Sequence, residues 1–334
     1  MLFQEKLESI ARLPLSAYPT PLEYLTRLSI ELGRPIYIKR DDGIGPALGG
    51  NKTRKLEYLL ADAQRRGLRK IATFGGLQSN HARLTAAAAN QCNMEAHLLY
   101  FEKRPKQLTG NLLINQLLGA RMHFIPFGGG GGMTLETSVR LARLVALALA
   151  GRHYFIPVGG HNWLGCLGYV RAALELDDQV RTLGLQKAHL VLAAGSGGTL
   201  AGLMAGLTLC RSDIQPLGID VGKLWKAFPA SVASLATEIC TRLGEPRQFA
   251  PQRVPLIEET YVGRRYGFPS AEGQSALKRL ARAEGILLDP VYTAKAFAGM
   301  LGEIEHGRLG QEDPLIFLHT GGLPALFAFP KDIP

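Results

Sequence analysis

Short apolar segments alternate with amphipathic segments along the whole chain, and this alternation restricts the fold more than any other feature of the sequence. Ile36–Lys39 and residues 190–193 have the length and composition of strands, whereas residues 53–66 repeat leucine and alanine at helical spacing. When strands alternate with helices, each helix carries the chain back across a sheet, so that successive strands run parallel. The sequence therefore predicts an α/β protein with open, mostly parallel, twisted sheets and flanking helices.

The other predicted elements continue this rhythm towards the end of the chain. The predicted strands cover residues 71–74, 97–101, 122–125, 217–221 and Leu315–Leu318. The predicted helices cover residues 79–92, 109–118, 134–150, 200–209, 270–284 and Thr293–Glu305, with Thr134 as a candidate N-cap. Five consecutive glycines at 128–132 predict a loop, which we interpret as a surface connection because no lysine follows at phosphate-loop spacing.

Composition excludes several functional classes. The 334 residues suit two domains, and 46% hydrophobic with 20% charged residues predicts a folded chain. The net charge of +10 comes from basic residues dispersed among acidic ones, which favours small anionic ligands over nucleic acid. No apolar run reaches the roughly 18 residues of a membrane helix, and the N-terminus lacks an apolar signal core. Four widely spaced cysteines without metal-ligand spacing predict reduced thiols, no metal site and a cytoplasmic location.

Lys52 lies in the string GGNKTRKL, between a glycine pair and the start of a predicted helix. The lysine is either an ordinary solvated cation or an amine that forms a Schiff base with an aldehyde cofactor such as pyridoxal phosphate. The second role requires an amine whose charge is destabilised by burial or by neighbouring cations, and Arg54 and Lys55 are two such neighbours. Gly49 and Gly50 would let a cofactor approach the backbone closely.

Two further glycine-containing strings follow predicted strands and open predicted helices. TFGGLQSNH, residues 73–81, offers amides that can hold a carboxylate, although Ser79 or Asn80 alone is also a normal helix cap. AGSGGT, residues 194–199, is the best candidate for a phosphate-binding turn, although close helix packing would require the same glycines. It matches neither a Walker sequence nor GxGxxG, so ATP and NAD are poor fits and a compact phosphomonoester suits it better.

Two C-terminal strings also place polar residues at element ends. DPVYT, residues 289–293, opens a predicted helix, and HTGG, residues 319–322, follows a predicted strand. Tyr292 is either an acid–base group or part of the wall of the core. Thr293 and Thr320 are either helix caps or cofactor contacts. Taken singly, each of these residues favours the structural role.

Eight strings, taken together, resemble the pyridoxal-phosphate-dependent family that contains 1-aminocyclopropane-1-carboxylate deaminase and D-cysteine desulfhydrase. The matching strings are TPLEYL (20–25), IKRDD (38–42), GGNKTRKLEYLLADA (49–63), LQSNHAR (77–83), GNLLINQLLGA (110–120), GSGGT (195–199), EGILLDPVYTAKA (284–296) and HTGG (319–322). They occur in the family's order over nearly the whole chain, and GGNKTRKLEYL is highly specific.

This resemblance implies the tryptophan-synthase-β-like fold, which is fold type II of the pyridoxal-phosphate enzymes. Residues 1–53 and 164–334 would form a larger cofactor-binding domain, and residues 54–163 would form a smaller inserted α/β domain. The resemblance further implies a homodimer in which pyridoxal 5'-phosphate lies between the two domains.

The resemblance also implies a role for each matching residue. Lys52 would carry the cofactor as a Schiff base, Asn80 would bond its ring hydroxyl, and Ser79 would act as nucleophile or proton handler. Amides around Ser79, Asn80 and His81 would bind the substrate carboxylate. Tyr266 and Tyr292 would flank the reacting amino acid, which makes them catalytic candidates with Lys52 and Ser79. The cofactor's phosphate would be bound by Gly195, Ser196, Gly197, Gly198 and Thr199.

The residues at positions 293 and 320 separate members of the family. The cyclopropane deaminases carry glutamate and leucine there, whereas Thr293 and Thr320 are the pair typical of D-cysteine desulfhydrases. Threonine is a weaker partner for the cofactor's pyridine nitrogen than glutamate, which suits the elimination of a good leaving group such as thiolate. The implied activity is therefore a carbon–sulfur lyase that converts D-cysteine to pyruvate, hydrogen sulfide and ammonia.

The chain departs from the family pattern at several positions. His161 and Trp163 stand where the family often has a Ser-Asn pair, and residues 221–228 are also atypical. His161 is either a substrate contact or a surface histidine, while Trp163 with Arg264 and Arg265 would favour an anionic substrate such as a sulfonate. The alternatives are thus an L-cysteate sulfo-lyase, a 1-aminocyclopropane-1-carboxylate deaminase, or a catalytically silent pyridoxal-phosphate-binding protein.

Overall fold

The fold consists of two sheets with helices on both faces of each. The structure is a computed structural model, and it describes residues 2–126, 135–258, 260–310 and 312–330. Its strands in chain order are β1 (Leu22–Tyr24), β2 (Ile36–Lys39), β3 (Lys70–Phe74), β4 (Glu95–Tyr100), β5 (Arg121–Phe124), β6 (Tyr154–Phe155), β7 (Ala188–Ala194), β8 (Ile214–Asp220), β9 (Leu256–Ile257) and β10 (Leu315–Leu318). The larger sheet has the order β1-β2-β10-β7-β8-β9 and the smaller has the order β5-β4-β3-β6. All pairs are parallel except β1 with β2.

The helices confirm the predicted alternation and add elements that the sequence did not predict. In chain order they are α1 (Leu2–Ser9), α2 (Thr26–Leu32), α3 (Lys52–Arg65), α4 (Asn80–Gln91), α5 (Gly110–Leu117), α6 (Leu135–Ala150), α7 (Trp163–Thr182), α8 (Gly198–Leu209), α9 (Phe228–Arg242), α10 (Ala271–Glu284) and α11 (Thr293–Glu305). Every predicted strand and helix is present. The longest helix that was not predicted is α7. The five-glycine loop and the Thr134 cap lie outside the described residues.

Both faces of the larger sheet are buried, as expected for parallel strands covered by helices. Along β7, Leu190 and Leu192 pack into the core cluster that contains α7, α8 and α9. Val191 points to the opposite face, into the cluster that contains α10 and α11. The smaller sheet repeats this arrangement: Ile71 packs towards α3 and α4, whereas Ala72 packs towards α6.

An internal ion network fixes the start of α3, where Lys52 lies. The guanidinium of Arg54 donates to Asp41 with Nε–Oδ2 at 2.8 Å and to Glu175 with Nη1–Oε2 at 2.9 Å. Asp41 is fully buried and also accepts from the hydroxyl of Tyr169 at 2.6 Å. A buried arginine needs such partners, because an unpaired charge inside a protein costs several kcal/mol, on the order of 3–5. The network therefore anchors α3 to the larger sheet and to α7.

The strands of the smaller sheet all lie within residues 70–155, and those of the larger sheet lie on both sides of that segment. On this basis we propose a division into a larger domain of residues 1–53 plus 164–334 and a smaller inserted domain of residues 54–163. Within the described residues, no helix combines the length and the apolar character needed to cross a lipid bilayer.

Candidate active site

The predicted glycine-containing strings meet where strands of both sheets end, which is the usual ligand-binding position in open α/β sheets. The backbone N–H of Asn51 donates to the carbonyl of Thr320, at the end of β10, at 3.1 Å. The side-chain Nδ2 of Asn51 donates to Thr199 Oγ1, at the start of α8, at 3.2 Å. The segment that carries Lys52 is therefore bonded to two strand-end segments of the larger sheet at once.

Lys52 is the first residue of α3, and its amine faces the loop that precedes α7. A Cβ built on Gly159 would lie 3.8 Å from Lys52 Nζ and 2.5 Å from Ser196 Oγ, so these three residues are neighbours. Removal from water, and then the nearby charge of Lys55, hold the pKa of Lys52 well below its ordinary value. A neutral amine is the nucleophilic form of lysine. The position thus has the property that a Schiff-base lysine requires.

The sequence predicts Lys55 only as a cation near Lys52, and the structure shows where its amine lies. It is fully buried one turn along α3, and its Nζ donates to the carbonyl of Gly159 at 3.1 Å. A Cβ built on Gly198 would lie 2.7 Å from Lys55 Nζ, so the amine faces the start of α8. Lys52 and Lys55 are three residues apart on one helix, so both amines lie on the same face, and this spacing could have predicted Lys55 as a site residue.

The turn between β7 and α8 requires glycine. Gly197 has a φ of +78° and is the N-cap of α8, with no side chain from the described residues bonded as a cap. A Cβ at Gly197 would lie 2.7 Å from Phe228 and Val232. The first-turn amides of α8 therefore point into the site at the positive end of a helix, beside Lys55. This set of donors without an internal acceptor fits a phosphate group.

His161 lies at this turn, residues 195–199, which is the candidate phosphate-binding turn. Its Nδ1 would be 3.4 Å from a Cβ on Gly198, and it is buried with no hydrogen-bond partner in the described part of the chain. Its Nε2 lies 3.2 Å from Ser231 Oγ. Burial, and then the charge of Lys55, lower the pKa of His161 to about 3, so the ring is neutral. The substrate-binding role of His161 stays a prediction, and the geometry favours a contact with the cofactor's phosphate.

Ser79, Asn80 and His81 lie at the start of α4, and each side chain has a different hydrogen-bond partner. Ser79 is the N-cap, and its hydroxyl accepts from the backbone N–H of Ala82 at 3.2 Å, so its own proton remains available. Asn80 is bonded through Oδ1 to Asn111 Nδ2 at 3.0 Å. The ring of His81 faces the interior, with Nε2 at 3.1 Å from the hydroxyl of Thr73. The His81 ring is therefore part of the site wall, and its backbone amide lies in the first turn of α4.

Tyr266 and Tyr292 form a pair between the start of α4 and the phosphate-binding turn. Their hydroxyl oxygens are 2.5 Å apart. The ring of Tyr266 lies 3.3 Å from a Cβ built on Gly76, and that of Tyr292 lies 3.7 Å from one on Gly195. Burial raises the pKa of both hydroxyls, so both stay protonated and either can act as an acid.

The hydroxyl of Thr293 is already hydrogen-bonded to Asp289. Its hydroxyl donates to Asp289 Oδ1 at 2.8 Å and accepts from the backbone N–H of Asp289 at 2.8 Å. Asp289 is fully buried and also accepts from the backbone N–H groups of Val291, Tyr292 and Thr293. Thr293 and the carboxylate are thus engaged within the first turn of α11. The backbone carbonyl of Thr320 carries the contact with Asn51.

Lys295 is a further buried residue that the sequence did not predict for the site, and it bonds the segment that precedes Tyr266. Lys295 is fully buried, and its Nζ donates to the carbonyl of Val262 at 2.6 Å and to that of Arg265 at 3.4 Å. A third bond, of 3.5 Å, goes to the carbonyl of Val221. The string PVYTAKA does not indicate a structural role for its lysine, because the partners of Lys295 lie 30 to 74 residues away in the sequence. The amine fixes the segment that carries Tyr266.

Trp163 and Arg265 each take part in a contact between a cation and an aromatic ring. The indole of Trp163 packs under the guanidinium of Arg242, with 4.5 Å to the ring centroid. The guanidinium of Arg265 lies over the exposed ring of Phe268, at 4.2 Å. Both aromatic rings thus take cations as neighbours elsewhere on the chain. Their contacts do not support the predicted preference for an anionic substrate.

Comparison with known proteins identifies the family to which the chain belongs. Residues 13–321 match the profile of a family described as pyridoxal-phosphate dependent enzyme. The chain is 40% identical over 336 residues to a D-cysteine desulfhydrase of Yersinia pestis, which covers 98% of this chain and 99% of the relative. A solved 1-aminocyclopropane-1-carboxylate (ACC) deaminase homologue has a TM-score of 0.87 and 35% identity over 99% of this chain and 98% of that one. A threonine deaminase from Solanum lycopersicum shares the fold, with a TM-score of 0.65 and 17% identity over 96% and 84% of the two chains.

These matches confirm the predicted fold type II, the predicted cofactor and the predicted lyase class. The four cysteines, all among the described residues, are free thiols. No cluster of three or more potential metal ligands occurs among the described residues. Because the family profile spans most of the chain and the relatives match it from end to end, the chain belongs to the family of pyridoxal-phosphate-dependent enzymes.

Proposed function

We propose that this chain is a D-cysteine desulfhydrase, which releases pyruvate, hydrogen sulfide and ammonia from D-cysteine. The observation that carries the proposal is the neutral threonine pair, Thr293 and Thr320, at the ends of α11 and β10. It occurs in a chain whose whole length matches proteins of that name. The proposed net reaction adds one water to D-cysteine, breaks the Cα–H, Cα–N and Cβ–S bonds, and is balanced by the three products.

The site would hold the cofactor through its own donors. Lys52 would provide the covalent attachment, and the phosphate would be bound by amides of the turn at Gly195, Ser196, Gly197, Gly198 and Thr199. Lys55 and His161 face the same turn and would add one charged and one neutral donor. When bound, pyridoxal phosphate supplies an electron sink for the negative charge that develops at the substrate's α-carbon.

The proton transfers would be divided between the two ends of the site. Lys52, whose amine is neutral, is the proposed base for the α-proton. Tyr266 is the proposed donor to the departing sulfur, and its hydroxyl is hydrogen-bonded to that of Tyr292. The hydroxyl of Ser79 and the first-turn amides at Asn80 and His81 would bind the carboxylate of the substrate. These assignments rest on the positions described above.

The environment of Thr293 supports thiolate as the leaving group. The nearby Asp289 carboxylate accepts four hydrogen bonds inside its own turn, so it is not free to bind a cofactor atom. Thr293 and Thr320 thus offer neutral groups where a cyclopropane deaminase has glutamate and leucine. A weaker electron sink is sufficient when the bond to be broken has a good leaving group, and it disfavours opening of a carbon ring.

The test is a product assay on the purified holoenzyme with D-cysteine, L-cysteine, L-cysteate and the cyclopropane amino acid. We expect pyruvate and sulfide in equal amounts from D-cysteine, with Lys52→Ala inactive. Sulfite from L-cysteate or 2-oxobutanoate from the cyclopropane amino acid, without pyruvate from D-cysteine, would replace the proposed substrate. A coloured, cofactor-bound protein without turnover on any of the four would favour the silent binding protein.

We further propose that the chain acts as a cytoplasmic homodimer. The proposal is supported by the family resemblance and by four free thiols at Cys92, Cys166, Cys210 and Cys240, which suit a reducing compartment. Light scattering coupled to size-exclusion chromatography would give twice the 36.2 kDa mass of the chain. A single-chain mass at micromolar concentration would refute the dimer.

A further inference from the structure

We propose that Arg83 and Asn111 together fix the side-chain amide of Asn80 so that its NH₂ group, and not its carbonyl oxygen, faces the cofactor's ring oxygen. Both are positioning residues, since neither is placed against substrate or cofactor. The inference rests on the proposed contact between Asn80 and that ring oxygen, and it does not depend on which amino acid is the substrate.

The orientation begins at Arg83, because a guanidinium can only donate hydrogen bonds. Arg83 is fully buried in α4, and its Nε donates to Asn111 Oδ1 at 2.6 Å. Its Nη2 donates to the carbonyl of Gly49 at 2.9 Å, and its Nη1 donates to that of Ala47. If the amide of Asn111 were turned over, its NH₂ would point at the guanidinium. Arg83 therefore fixes which end of Asn111 is the oxygen.

The second step passes this orientation to Asn80. With its oxygen on Arg83, Asn111 has Nδ2 on the other side, where it donates to the backbone carbonyl of Gln78 at 3.0 Å and to Asn80 Oδ1 at 3.0 Å. The carbonyl of Gln78 cannot donate, so it fixes the same orientation independently of Arg83. Since Asn80 Oδ1 is an acceptor inside this network, its Nδ2 must point away from Asn111. Asn80 Nδ2 lies 2.7 Å from a Cβ built on Gly322, at the segment that follows β10.

The orientation has a chemical consequence. A donor beside the ring oxygen stabilises the ionised oxygen, whereas an acceptor would stabilise the protonated oxygen. Arg83 has carbonyl and amide partners in place of a carboxylate, and burial lowers its pKa to about 10 against the opposing charge of Asp289. Its positive charge thus lies within two hydrogen bonds of Asn80 and favours the same ionised form. Arg83 also connects Asn80 to the loop at Gly49, which leads to Lys52.

The test is Asn111→Asp, which keeps the shape of the side chain but can only accept. Arg83 keeps its partner, whereas Asn80 must turn its amide to donate to the aspartate and so presents Oδ1 to the cofactor. In the holoenzyme without substrate, we expect about a tenfold fall in the ratio of the absorption band of the ionised ring oxygen to that of the protonated form. The matched control is Asn115→Asp, one turn along α5, where Asn115 Nδ2 donates to the hydroxyl of Tyr100 at 2.8 Å.

A double-mutant cycle separates the orientation of Asn80 from the direct effect of the new negative charge. We expect the spectral change of Asn111→Asp to disappear in an Asn80→Ala background. If the change is as large without Asn80 as with it, or if Asn115→Asp causes an equal change, the relay is wrong. Should Asn111→Asp fail to fold, Asn111→Ser decides: it adds no charge and frees the amide, so it must lower the same ratio by a smaller factor. An unchanged ratio in folded Asn111→Ser also refutes the relay.

These readouts are independent of the proposed activity. The absorption bands are measured without substrate, so an enzyme that fails to release sulfide from D-cysteine would still report the orientation of Asn80. Conversely, active protein with an unchanged band ratio in the variants would refute the relay and leave the proposed function intact.

Discussion

The two ends of the proposed active site differ in the groups that they present and in how those groups are held. The end at the start of α8 presents amines, amides and a neutral histidine around a turn in which Gly197 leaves no room for a side chain. The end at the start of α4 presents hydroxyl groups, which are held by long-range bonds such as those of Lys295. Burial lowers the pKa of Lys55 and His161 at the first end and raises the pKa of both tyrosines at the second. The first end is therefore suited to bind a fixed anion, and the second to move protons.

If this division is correct, substitutions at the two ends should affect different measurements. Changes at the phosphate-binding turn should lower cofactor affinity, whereas changes at the tyrosine pair should lower kcat at saturating cofactor. Lys52 lies between the two ends and should affect both.

The largest expected effect is that of Lys52→Ala. We expect kcat for pyruvate release to fall by about 10³-fold or more, because both the covalent attachment and the proposed base are lost. The cofactor should still bind through its phosphate, with weaker affinity, which equilibrium dialysis would measure. Lys55→Met is the comparison variant, since it should weaken cofactor binding more than it lowers kcat at saturating cofactor. If Lys52→Ala had the same kcat as wild type, Lys52 would be neither the covalent attachment point nor the base.

Tyr266→Phe should have the next largest effect. It removes the proposed acid and keeps the ring, so kcat should fall by about 10²-fold at saturating cofactor. Cofactor affinity should remain within error of wild type, because the hydroxyl lies at the other end of the site. Tyr261→Phe is a suitable control: its hydroxyl bonds Glu303 Oε1 at 3.1 Å, within the core beside α11. A large loss of cofactor affinity in Tyr266→Phe would contradict the division into two ends.

The division also explains what the sequence could and could not predict. The glycine turn at residues 195–199, Lys52 and Asn80 each lie in a short string at a strand-to-helix junction, so local pattern was sufficient to predict them as candidates for the site. The side chains of Arg83, Asn111 and Lys295 bond partners 28 or more residues away, and nothing in their own strings indicates those partners. The alternation of strands and helices, and with it mostly parallel pairing, followed from periodicity, which is also a local property, whereas the division into two sheets came from the family resemblance.

Helix α7 was missed for a related reason. Gly165 and Gly168 lie in its first two turns, and glycine disfavours a helix when only the local sequence is considered. In the structure, a Cβ on Gly168 would lie 2.2 Å from the carbonyl of Arg54, and one on Gly165 would lie 2.7 Å from the carbonyl of Gly160. Close packing against α3 therefore requires these glycines, and that tertiary requirement outweighs the helix propensity.

A smaller but separable effect is expected for Gly197→Ala. The new Cβ would lie 2.7 Å from Phe228 at a φ of +78°, so we expect a loss of about 3 kcal/mol in stability and about 10-fold or more in cofactor affinity. Gly184→Ala is the matched control: its φ is +70° and nothing lies within 4 Å of the added Cβ. Calorimetry and dialysis on both variants separate backbone strain from the clash. If both variants lose the same stability and affinity, the tight turn is not what binds the phosphate.

The smallest expected effect concerns the acid stability of the apoprotein and depends on His161. Its pKa lies near 3 in the folded protein, below the ordinary 6.5, so the unfolded chain binds more protons between these two pH values. His161 therefore makes stability rise with pH in this range and fall as pH is lowered, by at most about 1.4 kcal/mol per pH unit. His161→Asn should reduce the slope of unfolding free energy between pH 4 and 6, as measured by urea titration.

The same titration compares the two ends of the site directly. A bound phosphate near His161 would favour its protonated form and raise its pKa, so the wild-type slope should be shallower with cofactor than without it. Tyr266→Phe should show the wild-type slope in both states, because a tyrosine hydroxyl does not titrate in acid. A slope in His161→Asn that equals the wild-type slope would mean that His161 is not held neutral beside the turn. Phosphate binding at the start of α8 would then depend on Lys55 and the helix amides alone.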